Sequence, residues 1–164
     1  MKKIIKTIDS IVTASGYLAG FLCLLLVVVV VYGVFTRYIL RAPSDWTMEV
    51  SQYLFCGISL LATGYALLQG SHVRIDLVRN SLSKKIQKRL DLVQYPIILS
   101  LCIVLIWMGG EEFWGAFISN NRSESVIGMP LWPVWSTIPI GGILLLLAAI
   151  SGFFKLIFKI ENKL

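Results

Sequence analysis

The chain has 164 residues, of which 57% are hydrophobic and only 15% charged, against ~25% charged in soluble domains. That balance excludes a soluble enzyme, and four long uncharged runs leave no length for a separate soluble core. The net charge of +6 sits on a chain read as a single membrane domain, residues 1–164.

The first uncharged run covers residues 10–36. It exceeds the ~20 residues a bilayer-spanning helix needs, and in hydrocarbon a backbone must satisfy its own hydrogen bonds. Lys2, Lys3 and Lys6 precede it. The run is far longer than the ~7–15-residue core of a secretory signal, and no small-residue cleavage site follows, so it reads as a retained span. Within it Gly16 and Gly20 form a small-xxx-small pair suited to close helix approach.

Residues 37–49 form a short loop. Pro43 pushes its predecessor out of the helical region and ends any helix before it. Ser44, Asp45 and Thr47 are each able to cap the next helix. Glu49 then falls in the first turn, where the helix dipole favours a negative charge. A second reading of Glu49 gives it a partner cation across a subunit interface, with Trp46 as an apolar anchor beside it.

The second uncharged run covers residues 50–71 and leads to the lone histidine, His72. In the following segment Ile75, Val78, Leu82, Ile86 and Leu90 share one helical face. Lys84, Lys85, Lys88 and Arg89 occupy the remainder. This is the pattern of a basic amphipathic helix, about residues 74–90, lying along the membrane with its cations at lipid headgroups.

The third run covers residues 92–110, with Pro96 near its start. The next loop carries Glu111, Glu112, Arg122 and Glu124, then Pro130 and Pro133. Two prolines three apart do not sit in a helix interior, so the fourth span starts near Val134, with Pro139 in its first turns. The expected architecture is therefore all-α: four transmembrane helices at about 10–36, 50–71, 92–112 and 134–157, plus the surface helix between the second and third.

Charge orients these spans. Lys2, Lys3, Lys6, the six basic residues of the middle loop, and Lys155, Lys159 and Lys163 fall on one side. Arg37, Arg41 and Arg122 fall on the other. The asymmetry predicts cytoplasmic termini, and it explains the positive charge without a nucleic-acid partner. Trp46, Trp114, Trp132 and Trp135 lie at the opposite, outer boundary, where amphipathic indoles favour the headgroup level.

Catalytic and coupling chemistry is missing from the sequence. Cys23, Cys56 and Cys102 lie inside spans without metal-ligand spacing. One histidine is too few for a bis-histidine haem. No ionisable side chain stands at a span centre, where a coupled transporter places its ion ligands. No catalytic residue, metal or cofactor is expected. Such a protein supports another chain rather than carrying solute alone.

Three blocks then bear a family resemblance. Arg37, Tyr38, Pro43, Trp46, Thr47 and Glu49 precede the second span. Gly70, His72, Val73, Ile75 and Asp76 follow it. Gly128, Pro130, Trp132, Ile138, Pro139 and Gly141 open the fourth. In their order and placement the chain resembles the small membrane subunit of tripartite ATP-independent periplasmic (TRAP) transporters. Gln69 departs from the basic residue such subunits often have before the glycine-histidine stretch.

The resemblance implies an accessory role in the bacterial inner membrane. A large multi-span permease would carry the substrate and sodium sites, and a periplasmic binding protein would deliver an organic anion such as a dicarboxylate or sialic acid. The small subunit would brace the permease, with Arg37, Trp46, Glu49, His72, Asp76 and Pro130 as interface or motif residues. Two alternatives from other classes are an anchor subunit of a quinone-linked respiratory complex and a small homo-oligomeric transporter.

Overall fold

The computed structural model describes residues 2–42, 44–69, 84–125 and 127–158, with side chains for 3–42, 44–69, 93–125 and 127–155. Four helices run through them: α1 Lys2–Tyr38, α2 Asp45–Leu68, α3 Lys84–Ile118 and α4 Trp132–Phe158. All four are long and apolar enough to cross a membrane, as the uncharged runs predict. α1 and α3 extend past both ends of their runs, because a helix continues through interfacial polar residues once its apolar centre is fixed, and α2 begins ahead of its run, at Asp45.

The surface segment expected at 74–90 is described only from Lys84, and there residues 84–90 are the first turns of α3. Residues 74–83 lie outside the described residues, as do the side chains of Lys84, Lys85, Lys88 and Arg89. Because α3 starts at Lys84, Pro96 stands well inside the helix rather than at its beginning. It removes the bond its N–H would give the Leu92 carbonyl. Pro139 is likewise inside α4, beyond its first turn.

The helices pack as neighbours in the order α1–α2–α4–α3, with α1 touching α4 only lightly. Among the described residues the four helices form an open layer. The central position of α4 shows in its burial, 39% of its most apolar window against 11% for α1 and for α2. The core lies between α3 and α4, where Ile98 and Cys102 meet Leu145 and Ala149. Cys102 is fully buried and unoxidised, a small packing side chain.

Small residues set the α2–α4 crossing. A Cβ on Gly64 would come within 2.9 Å of the Leu144 carbonyl oxygen, and one on Gly141 within 3.1 Å of the Leu60 carbonyl oxygen. Backbone therefore meets backbone at both points, the close approach that glycine permits in membranes. Of the Gly16 and Gly20 pair, only Gly16 is used. It lies flat against the Tyr65 ring, while Gly20 faces open space.

The remaining faces are apolar and uncovered. Phe21, Leu24 and Val28 on α1 and Ile97, Trp107 and Met108 on α3 are exposed. In a membrane these are the surfaces that lipid or another chain must cover.

Candidate functional site

At the end of the bundle opposite the first residues of α1, a buried carboxylate on α2 joins that helix to the loop between α3 and α4. The N-cap of α2 is Ser44, whose side chain makes no capping bond to the helix. Its hydroxyl instead meets those of Thr47 at 3.1 Å and Thr36 at 3.4 Å, tying the end of α1 to the start of α2. Since α2 begins at Asp45, that residue takes the first-turn acidic position. Glu49 lies one turn deeper, so the expected first-turn dipole role does not describe it. Its side chain is only 6% exposed.

Glu49 faces the loop between α3 and α4, and local chemistry holds that loop open to it. Asn120 adopts a left-handed conformation, φ 47°, and the Asn121 N–H bonds back to the Ala116 carbonyl at 3.2 Å. That arrangement stops α3. The chain then forms a narrow hairpin. The Ser123 N–H donates to the Met129 carbonyl at 2.8 Å, and the Leu131 N–H to the Asn121 carbonyl at 3.0 Å. Gly128 takes φ 62° at the turn, a conformation glycine adopts without steric cost.

Two residues one turn apart on α2 grip both limbs of this hairpin. On one limb the Ser123 hydroxyl donates to Glu49 Oε1 and the Ser125 hydroxyl to Oε2, the latter at 2.8 Å. On the other the Tyr53 hydroxyl donates to the Pro130 carbonyl at 3.0 Å. Hydrogen bonds to a charged acceptor contribute ~1.5–3 kcal/mol each, so the carboxylate is the stronger clamp. Its described partners are hydroxyls, not a cation.

The motif residues thus sort into different settings. Glu49 and Pro130, from separate blocks, are brought to one joint. Trp46 stands beside it, 38% exposed, with its ring 5.5 Å from that of Tyr32 on α1. Arg37 is exposed in the last turn of α1, where it lines a groove shared with α2. His72 and Asp76 lie outside the described residues. Trp132 packs edge-on against Phe117 at 6.1 Å, adding to the aromatic boundary at this end.

A second polar joint closes the opposite end. Asp9 on α1 accepts from Ser151 Oγ at 2.5 Å and pairs with Lys155 Nζ at 2.7 Å, both on α4. Ser151 is fully buried. Sequence reasoning missed this pair, and it missed Ser123, Ser125 and Tyr53. The Glu49–Tyr53 spacing of four and the alternating serines of the loop were the available signals.

In the described geometry both clusters tie elements together: Glu49 holds the α3–α4 loop and Asp9 holds α4. Among the described residues no group of His, Cys, Asp or Glu is arranged to hold a metal. Carboxylates whose oxygens are bound to hydroxyls position backbone.

The comparisons with known proteins agree with this architecture. Residues 26–159 match the family described as tripartite ATP-independent periplasmic transporters, DctQ component. The chain is also 24% identical over 159 residues to the sialic acid TRAP transporter small permease protein SiaQ of Vibrio cholerae. That alignment covers 95% of this chain and 85% of the relative. With the family match running from the latter part of α1 through α4, the chain belongs to the DctQ family of TRAP transporter small membrane subunits.

Proposed function

We propose that this subunit braces a large permease in the bacterial inner membrane and takes part in sodium-driven, binding-protein-dependent uptake of an organic anion. The observation that carries the reading is the pairing of an open helix layer with spans that lack ionisable groups at their centres. Such a layer has no interior through which to pass a solute. It does have broad apolar faces on α1 and α3 for another membrane chain to cover. The SiaQ relative makes a sialic acid or similar sugar acid the favoured cargo of the complex.

In this reading both termini are cytoplasmic, and the Glu49 joint faces the periplasm. Glu49 and Tyr53 then hold the α3–α4 loop in a fixed shape beside Trp46, on the side where a periplasmic binding protein docks. Trp46 remains available to a partner, whereas Glu49 acts through the loop it anchors. Co-expression with the large permease tests this. The permease should co-purify with the wild-type chain, and less of it with Trp46→Ala. Failure of the wild-type chains to associate would contradict the bracing role.

A further inference from the structure

We propose that the groove between α1 and α2 at the Glu49 end holds one phospholipid of the adjacent leaflet, with its phosphate on Arg37. The groove is open along one side and has a volume of about 620 Å³, room to seat one acyl chain and its headgroup while the second chain stays in the bilayer. Arg37 and Tyr38 stand at one extreme and Leu26 at the other, with Met48, Gln52 and Phe55 of α2 alongside. Eleven residues of helix separate Arg37 from Leu26, ~16 Å at 1.5 Å rise. That is the depth of one leaflet of a ~30 Å hydrocarbon core.

The polar groups fall at the depths a phospholipid requires. Arg37 is exposed in the last turn of α1. Its side chain makes no hydrogen bond or ion pair with another described residue. A guanidinium fork matches two phosphate oxygens. Gln52 lies about two turns into α2, is exposed, and likewise lacks a described partner. A carboxamide left without a partner in hydrocarbon carries a penalty, which a glycerol ester carbonyl removes by accepting its N–H. Ser51 does not compete, because its hydroxyl is given to the Thr47 carbonyl at 2.6 Å. Below Gln52 the wall is apolar, suited to an acyl chain. Arg37 is the charged residue among those lining the groove, so an anionic headgroup fits better than a zwitterionic one.

The test is native mass spectrometry of the purified full chain titrated with phosphatidylglycerol, with diacylglycerol, and with inorganic phosphate. Phosphatidylglycerol should bind and the other two should not, since each lacks half of what the groove recognises. Arg37→Gln should weaken phosphatidylglycerol binding about tenfold or more, the scale of one lost charge-assisted contact. Gln52→Leu should weaken it less. Arg122→Gln, a cation at the same end outside the groove, should leave it unchanged. A phosphatidylglycerol with a photoreactive group midway along one chain should label peptides containing Leu26 or Phe55. If Arg37→Gln does not give folded protein, Gln52→Leu and the labelled positions decide. Equal binding by the Arg37 and Arg122 variants, or labelling confined to α3 and α4, would overturn the proposal. So would a cysteine at Gln52 that cross-links to the large permease in native membranes while no lipid is retained.

Discussion

The carboxylate of Glu49 and the hydroxyl of Ser125 lie 76 residues apart in sequence and 2.8 Å apart in space. With Ser123 on the other carboxylate oxygen, the contact fixes the α3–α4 hairpin to the second turn of α2. A double-mutant cycle isolates it. Glu49→Gln should destabilise the chain in detergent by ~1.5–3 kcal/mol. In a Ser123→Ala, Ser125→Ala background the same change should cost much less, because the bonds it breaks are already absent. Additive losses would show that Glu49 acts elsewhere.

At the other end, Asp9→Asn and Lys155→Met should each loosen the first turns of α1 from α4. The exchanged pair Asp9→Lys with Lys155→Asp should recover part of the loss. Amide hydrogen exchange over residues 3–12 reads this directly: faster in the single variants, slower again in the exchange. Ser151 limits recovery, since its hydroxyl bonds the carboxylate where it now stands.

Glycine substitutions separate the packed crossings from the uncovered faces. Gly64→Leu drives a side chain into the Leu144 backbone, which cannot yield by rotamer change. Overpacking of this kind costs ~1–3 kcal/mol or more. Gly20→Leu meets nothing and should be neutral in the isolated subunit. Thermal melting of both variants checks the contrast. A Gly20→Leu that melts normally but loses the large permease would place that face at the subunit interface.

Much of this fold is written in the chain. Uncharged runs mark four helices because a charge in hydrocarbon is expensive whatever the neighbours are. Neighbour order is not written the same way. It follows from which glycine faces which backbone, and Gly16 and Gly20 look alike until Tyr65 is seen against only one of them. The polar joints were hidden for a related reason. Asp9 reads as the last charge before a span and Lys155 as one more cation of a basic tail. Only the contact of α1 with α4 makes them a pair. Glu49 was visible as a motif residue, but its role depended on where α2 begins. A start at Asp45 moves it out of the first turn and toward the hairpin.

The proposed orientation, with both termini cytoplasmic, rests on the distribution of basic residues and has a direct check. Single cysteines at Ser44 and at Asn120, in a chain without native cysteines, should react with a membrane-impermeant maleimide added to intact spheroplasts. A cysteine at Lys3 should react only after the membrane is opened. Labelling of Lys3→Cys from outside would invert the topology and move the Glu49 joint to the cytoplasm.

Uptake in proteoliposomes tests the central claim, that this subunit supports transport without conducting it. With an inward sodium gradient, the purified chain alone should move no sialic acid above protein-free vesicles. The same chain with its large permease and binding protein should support uptake. Sodium-dependent accumulation by the isolated chain would contradict the account.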